Sequence, residues 1–227
     1  MTTIDAPHLP RVRQAVVAAR DLDAVCATLR ASLGLGEPYH DPAVGHFGLR
    51  NAVFALGDTF LEVVSPAHDG TAAGRQIDRA GDDCGYMVMV QVNDLARRRS
   101  RLKSHRVREV FEVELDDIAE VHLHPADMHG AIVSLSEPRP KTAWRWGGPD
   151  WPARSVALRV DGVTLAVADP EAVAGRWSGV IGGLPGITFI RDPAEPGLVE
   201  IALGGIAARR EPLQLGSVRI VPSPSGA

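Results

Sequence analysis

Residues 11–36 read RVRQAVVAARDLDAVCATLRASLGLG. An apolar run typical of a β-strand leads directly into Asp21, whose carboxylate can accept hydrogen bonds from the free amides at a helix start. Apolar side chains then recur at helical spacing, and Gly34 and Gly36 end the run. The stretch therefore predicts a strand followed by an amphipathic helix.

The same pattern occurs twice more, at 85–104 (GYMVMVQVNDLARRRSRLKS) and at 162–182 (GVTLAVADPEAVAGRWSGVIG). Repetition of this kind indicates an architecture built from equivalent units. When the copies are aligned on the aspartate that opens each helix, one position lies seven residues before it in every copy. The residues at that position are Gln14, Met87 and Gly162.

Strand-like runs follow the first two helices and complete the repeated unit. After the first helix they are 45–50, 51–56 and 59–64, the last two joined by a Gly-Asp turn pair. The predicted class is α+β, with tandem βαβββ units. Units 12–65 and 85–137 form a paired region within 1–137, a loop rich in tryptophan and proline follows at 138–154, and a degenerate third βαβββ-like unit occupies 155–221.

Bulk composition excludes several classes of function. A net charge of −4 gives no reason to expect nucleic acid or an anionic membrane as a partner. No apolar run approaches the roughly 20 residues of a membrane span, and the first ten residues lack the features of an export signal. Two cysteines do not make a disulfide framework. We therefore expect a cytoplasmic protein.

The loop at 138–154 carries Trp144, Trp146 and Trp151 without a helical or strand period. Exposed tryptophans at this density are unfavourable, so the loop must cover other residues. It either lies over the mouth of a pocket or braces the third unit, and both arrangements stay open at this point.

Tandem βαβββ units in which Asp-Leu pairs open the helices resemble the vicinal oxygen chelate superfamily, whose members include glyoxalase I, methylmalonyl-CoA epimerase, extradiol dioxygenases and bleomycin-resistance proteins. The resemblance covers 12–137 well and 155–221 weakly. The segment HLHPADMHGAIVSL at 122–135 is similar to the segment that closes the second unit in methylmalonyl-CoA epimerase-like proteins. The resemblance implies that the curved mixed sheets of two units form a cup, with four inward side chains that hold a divalent metal.

The family's ligand positions fall here on Gln14, Glu62, Met87 and Ser134. The first pair offers oxygen ligands, but a thioether and a hydroxyl replace the histidine, glutamine or glutamate that the family has in the second unit. His124, or its neighbours His122 and His129, is a candidate to complete a metal set with Gln14 and Glu62. A divalent metal is thus an open expectation, and the degenerate ligand set favours its absence.

Glu62 is the principal catalytic candidate, with Gln14 beside it. Strand alternation places Phe60, Glu62 and Val64 on one face, so the carboxylate would lie in an apolar cup. Burial there would raise its pKa toward values that suit a general base. The alternative is that Glu62 pairs with Gln14 or an arginine as the remnant of an ancestral metal site.

Further residues are candidates for substrate binding. Met87, Met89 and Gln91 share one strand face, His122 and His124 share another, and Arg75 could neutralise an acidic group of the substrate. The complete set of binding candidates is Met87, Met89, Gln91, His122, His124, Ser134, Trp144, Trp146 and Arg75.

Two functions from different classes are compatible with this set. The first is an isomerase, epimerase or lyase that removes a proton beside the carbonyl of a small organic acid or an acyl-CoA thioester. The second is a non-catalytic protein that binds a drug or aromatic ligand, as bleomycin-resistance proteins do. A homodimer in which the third unit pairs with its counterpart is a further expectation.

Overall fold

The computed structural model describes residues 9–206 and 211–223, so the first eight residues of the predicted paired region lie outside it. The first unit consists of β1 (Arg11–Ala18), α1 (Leu22–Leu33), β2 (Leu49–Leu56) and β3 (Thr59–Pro66). As predicted, the side chain of Asp21 caps α1 by accepting from the Ala24 N–H, and Gly34 ends the helix in the left-handed conformation.

The predicted strand at 45–50 is wrong. Pro42–Phe47 forms a 3₁₀ helix, and β2 begins two residues later. The helix start is set by Asp41, whose carboxylate accepts from the Ala43 N–H at 2.9 Å, and by Pro42 in the first turn. These capping signals outweigh the strand propensity of the apolar residues that follow them.

A connecting helix and the second unit come next along the chain. Their elements are α2 (Ala72–Ala80), β4 (Cys84–Gln91), α3 (Leu95–Ser104), β5 (Glu109–Glu114), β6 (Ile118–Leu123), α4 (Pro125–Met128) and β7 (Ile132–Pro138). Strand β6 ends at Leu123, and His124 caps α4 through its ring.

The remainder begins within the tryptophan loop, as we call residues 138–154. Its elements are α5 (Trp151–Arg154), β8 (Arg159–Val167), α6 (Pro170–Ile181), β9 (Ile187–Arg191), β10 (Gly197–Gly204), β11 (Leu213–Leu215) and β12 (Val218–Pro222). None of the helices in the described ranges is long and apolar enough to cross a membrane.

The strands form two mixed sheets, which confirms the predicted α+β class. The large sheet has the order β2-β3-β1-β4-β7-β6-β5, and the small sheet has the order β11-β12-β10-β8-β9. In the large sheet, the first strands of the two units, β1 and β4, pair antiparallel at the centre, and each has the last strand of its own unit parallel on its other side.

The central pairing is nearly symmetric. In the alignment of the two units, Gln14 corresponds to Met87 and Val16 corresponds to Met89. Gln14 lies opposite Met89 and Val16 lies opposite Met87, so each pair is the counterpart of the other. The register shifts at Arg13 in β1 and at Tyr86 in β4, which makes each a β-bulge residue directly before the aligned position. The repeat that was found in the sequence is thus present in the hydrogen-bond register.

The small sheet repeats this register on a reduced scale. Glu200 lies opposite Thr164 and Ala202 opposite Gly162, with register shifts at Val199 and Asp161. Strand β8 with α6 and the parallel β9 corresponds to one unit. Strand β10 with β11 and the parallel β12 corresponds to a second unit that has no described helix after its first strand. The described residues of the predicted third unit thus contain parts that correspond to two shortened units.

The two faces of the large sheet have different partners. Its back face packs against α1, α3 and the small sheet in one apolar core. Gly85 permits this contact, since a Cβ there would lie 2.2 Å from the carbonyl oxygen of Leu198 in β10. Its front face, which carries Gln14 and Glu62, packs against the tryptophan loop in a second apolar cluster and leaves a cavity beside it.

Candidate functional site

A cavity of about 530 Å³ lies on the front face between the two units of the large sheet. Both units contribute to its walls, and Trp146 of the tryptophan loop closes one side. Most of the lining is apolar. Polar lining residues include Gln14, Asn51, Glu62, Glu120 and His122. An apolar cavity with a few convergent polar groups is the usual form of a small-molecule site.

Glu62 lies on β3 with only 7% of its surface exposed. Its two carboxylate oxygens accept separate hydrogen bonds, Oε2 from Gln14 Nε2 at 2.6 Å and Oε1 from Asn51 Nδ2 at 2.7 Å. Burial raises the pKa of Glu62 from 4.5 to about 7, although the two amide donors partly oppose this effect. A carboxyl group with this pKa can accept or release a proton at neutral pH.

Gln14 is held from its other side by the tryptophan loop. The indole Nε1 of Trp144 donates to Gln14 Oε1 at 2.7 Å, and Trp144 is 1% exposed. Its ring is stacked on Phe60 at 6.1 Å between centroids. A continuous chain of hydrogen bonds therefore runs from Trp144 through Gln14 to Glu62.

The bulge at Arg13 anchors the tryptophan loop. Because a β-bulge turns two successive side chains to one side of the strand, Arg13 lies on the front face together with Gln14. Its guanidinium donates to the Thr142 carbonyl at 3.2 Å and lies over the Trp144 ring at 5.1 Å from the centroid. Gln91 also holds the tryptophan loop, because its amide donates to the carbonyl of Lys141 at 2.7 Å.

The second unit supplies a second buried carboxylate. Glu120 on β6 is 3% exposed and accepts from the Oγ of Ser136 and from Trp146 Nε1, the latter at 2.8 Å. His122 Nε2 lies 2.7 Å from Glu120 Oε1. The tryptophan loop thus donates one indole N–H to the polar centre of each unit.

Aromatic side chains form the rim of the cavity beside this second centre. The ring of Phe111 lies 4.8 Å from that of His122 and 5.0 Å from that of Phe47, between centroids. Phe47 comes from the 3₁₀ helix of the first unit and is 41% exposed. The rim is therefore shared by the two units, and it places His122 between solvent and Glu120.

The predicted binding residues fall into three groups. Those that line the cavity are Met87, Met89, His122 and Trp146. Those that are buried next to it without lining it are Gln91, Ser134 and Trp144. Two lie elsewhere: His124 accepts from the Ala126 N–H through Nδ1, and Arg75 is exposed and donates to the Gly70 carbonyl. The tryptophan loop covers the front face, which resolves the choice left open by its sequence.

Sequence reasoning missed Asn51 and Glu120. Their positions are equivalent in the two units, since Asn51 lies opposite Val64 and Glu120 opposite Ser136 in corresponding strand pairs. The available signal was strand period in the second unit, where Glu120 and His122 alternate with apolar residues. The misplaced strand at 45–50 concealed this correspondence.

The residues do not fit the divalent metal that the superfamily implies. Gln14 presents its amide nitrogen to Glu62, and its oxygen is engaged by Trp144. His124 lies outside the cavity, and Met87 and Ser134 offer a thioether and a hydroxyl. Within residues 9–206 and 211–223, no group of three His, Cys, Asp or Glu side chains is arranged to hold a metal ion.

Comparisons with known proteins agree with this architecture. The glyoxalase-like domain family matches residues 15–181, whereas curated proteins give no match. Methylmalonyl-CoA epimerase from Mycobacterium tuberculosis is 23% identical, with a TM-score of 0.50 over 57% of this chain and 89% of that one. A methylmalonyl-CoA epimerase in complex with methylmalonyl-CoA and NH4+ is 22% identical, with a TM-score of 0.50 over 57% and 95% of the two chains. A variant of the Streptomyces coelicolor epimerase in complex with 2-nitronate-propionyl-CoA is 21% identical, with a TM-score of 0.50 over 56% and 94%. At these identities the likeness concerns the fold.

Proposed function

This chain belongs to the glyoxalase-like domain family of the vicinal oxygen chelate superfamily, and from that premise we propose that it is an isomerase, epimerase or lyase. The reaction begins with removal of a proton beside the carbonyl of a small organic acid or an acyl-CoA thioester. The observation that carries the proposal is Glu62, a buried carboxyl group with a pKa of about 7 at the wall of a largely apolar cavity.

Glu62 is the general base. A base works best when its pKa lies near the working pH, because it is then substantially ionised and still basic enough to take a proton from carbon. The donors Gln14 and Asn51 hold the carboxylate at a fixed orientation by one hydrogen bond to each oxygen. Fixed orientation lowers the entropic cost of bringing the base to the substrate.

The same two amides can stabilise the product of proton removal. Each side-chain NH2 group has two hydrogens, and each uses one of them on Glu62. The second hydrogen is available to the oxygen of a substrate carbonyl, where negative charge develops as the enolate forms. Fixed neutral donors in a water-poor cavity stabilise such a charge more than the same donors do in water.

His122 and Glu120 return a proton from the other unit. Glu120 holds the imidazole through Nε2, and the ring lies at the aromatic rim, so it can exchange protons with solvent. Glu62 in the first unit and His122 in the second unit both line the cavity, so a substrate there would have two acid–base groups beside it. Epimerisation can use this arrangement, because the proton leaves one face of the carbon and is delivered to the opposite face.

Solvent deuterium uptake tests the proposal. The similar epimerases were solved in complex with methylmalonyl-CoA and with 2-nitronate-propionyl-CoA, so acyl-CoA thioesters are tested first, followed by 2-oxo acids. The protein is incubated with each compound in D2O, and exchange at the carbon beside the carbonyl is followed by NMR. We expect uptake with the wild-type protein and a rate lower by roughly 10³-fold with Glu62→Gln. Uptake at the wild-type rate in that variant would contradict the role of Glu62.

A binding protein is the second candidate, favoured by the apolar lining that includes Met87, Met89, Phe47 and Phe111. Methionine and aromatic side chains adapt to flat organic ligands without specific polar contacts. Trp146 lines the cavity, so its fluorescence reports occupancy. Quenching by an aromatic compound that is recovered unchanged, without deuterium uptake, would favour this function over the enzymatic one.

A further inference from the structure

We propose that Trp144 is a positioning residue, which fixes the amide of Gln14 with its nitrogen toward Glu62 and so organises this pair as a hydrogen-bonded unit in place of a metal site. The role of Glu62 in this inference rests on the proposed function. The orientation of Gln14 does not, since it follows from the contacts alone.

Only one orientation of the Gln14 amide satisfies both neighbours. The indole of Trp144 can only donate, and an ionised carboxylate of Glu62 can only accept. At present Trp144 Nε1 lies 2.7 Å from Gln14 Oε1, and Gln14 Nε2 lies 2.6 Å from Glu62 Oε2. Reversing the amide would place its NH2 group against the indole N–H and its oxygen against the Glu62 oxygen. Both hydrogen bonds would be lost, and a buried indole N–H would be left unpaired.

This orientation works against a divalent cation. To share a cation, Gln14 and Glu62 would both have to direct oxygen atoms at one point. The indole instead holds the Gln14 oxygen away from the carboxylate, and Asn51 engages the second oxygen of Glu62. The family positions in the second unit, Met87 and Ser134, add no carboxylate or imidazole that would offset the lost contacts.

Trp144 is itself rigidly held, which a positioning residue requires. Its ring is stacked on Phe60 and also contacts the guanidinium of Arg13, and it is 1% exposed. It comes from the tryptophan loop, outside both βαβββ units. The hydrogen bond from Trp144 to Gln14 is therefore supplied by a segment outside the repeated units.

The first test is cation binding, which is independent of turnover. The wild-type protein and Gln14→Glu are titrated with Mn²⁺ and with Zn²⁺ by calorimetry, and thermal unfolding is recorded with and without each ion. Wild type is expected to show no saturable binding at this site. Gln14→Glu replaces the amide nitrogen by oxygen, so it should bind at least about tenfold more tightly than wild type.

Wild-type binding that is abolished by Gln14→Ala would overturn the inference, and so would a Gln14→Glu variant that gains no affinity. Neither result depends on catalysis. Absence of deuterium uptake by the wild-type protein would remove the proposed function and leave the cation result standing, so the two failures are distinguishable.

The second test uses matched variants of the tryptophan loop. Trp144→Phe retains an aromatic ring against Phe60 and removes the N–H that holds Gln14. Trp151→Phe removes an indole that contacts the same Phe60 ring edge-on, at 5.2 Å between centroids, and serves as control. We expect kcat for the exchanged substrate to fall roughly tenfold in Trp144→Phe with KM unchanged, the effect of one hydrogen bond. Trp151→Phe should stay within twofold. An equal loss in both variants, or none in Trp144→Phe, would contradict a positioning role.

Discussion

The large and small sheets are built on the same register, but residues at corresponding positions of the two sheets carry different chemistry. Gln14 in β1 corresponds to Glu200 in β10, each directly after a bulge residue and each paired with a parallel strand. Gln14 is buried and bonded to Glu62, whereas Glu200 is only half-buried and forms an ion pair with the exposed Arg219 at 2.7 Å.

The backbone register therefore sets the positions of these residues, and the residues that cover each face determine their chemistry. The tryptophan loop packs on the large-sheet face, where Gln14 and Glu62 are buried. Desolvation then raises the pKa of Glu62 to about 7. An ion pair that stays in contact with water, as at Glu200, is screened and contributes little.

Matched carboxylate-to-amide changes on the two faces give the largest expected contrast. Glu62→Gln removes the general base and should lower the rate of deuterium uptake by roughly 10³-fold, within the range that general base catalysis contributes. Glu200→Gln changes the corresponding face of the small sheet and should leave the rate within twofold. The rates are measured by NMR on the substrate found by the exchange screen. Equal losses in the two variants would show that the large-sheet face has no special role.

The pH dependence of stability sharpens the same contrast. Because the folded-state pKa of Glu62 lies above its unfolded value of 4.5, its contribution is fully present below pH 4.5 and is lost as the pH rises through about 7. The difference in unfolding free energy between wild type and Glu62→Gln should therefore change by up to about 3 kcal/mol across this range, to the disadvantage of wild type at high pH.

Urea unfolding at intervals between pH 4.5 and 8 measures this change. Glu200→Gln is the matched control, and its curve should run nearly parallel to that of wild type. If the Glu62→Gln curve also runs parallel to wild type, Glu62 is not desolvated in the folded protein, and the contrast between the two faces is lost.

The contact that joins the backs of the two sheets can be broken at Gly85. A Cβ there would meet the Leu198 carbonyl oxygen at 2.2 Å, so Gly85→Ala must separate β4 from β10. We expect a loss of about 1–3 kcal/mol in unfolding free energy, the usual cost of overpacking. Gly36→Ala is the control, because a Cβ there meets no atom within 4 Å and should be tolerated. Similar stabilities of the two variants would contradict the close packing of the sheets.

Much of this architecture could be predicted from local sequence signals. Asp21 and Asp169 cap their helices as expected, and the alignment of Gln14 with Met87 and Gly162 reappears in the strand register. These features depend on a few neighbouring residues, so they are visible in the sequence.

The rest depends on contacts between distant residues. Trp144 donates to a residue 130 positions earlier in the chain, and no local pattern specifies which tryptophan of the loop does so. Glu120 was missed because its role follows from the pairing of β6 with β7 and from Trp146. The correspondence of β10 with β1 was hidden for the same reason, since only strand pairing reveals it.

The smallest expected effect is the coupling free energy of a single residue pair, which should differ between the two sheets. A double-mutant cycle with Glu200→Gln and Arg219→Ala should give a coupling of about 0.5 kcal/mol that falls further in 1 M salt, because both groups contact water. The corresponding cycle with Gln14→Met and Glu62→Gln should give a larger coupling that salt does not change, since that pair is buried. Both are measured by urea unfolding at pH 8, where Glu62 is largely ionised. Equal couplings with equal salt dependence would mean that the tryptophan loop does not exclude water from the large-sheet face, and Glu62 would then lack the environment that makes it a base.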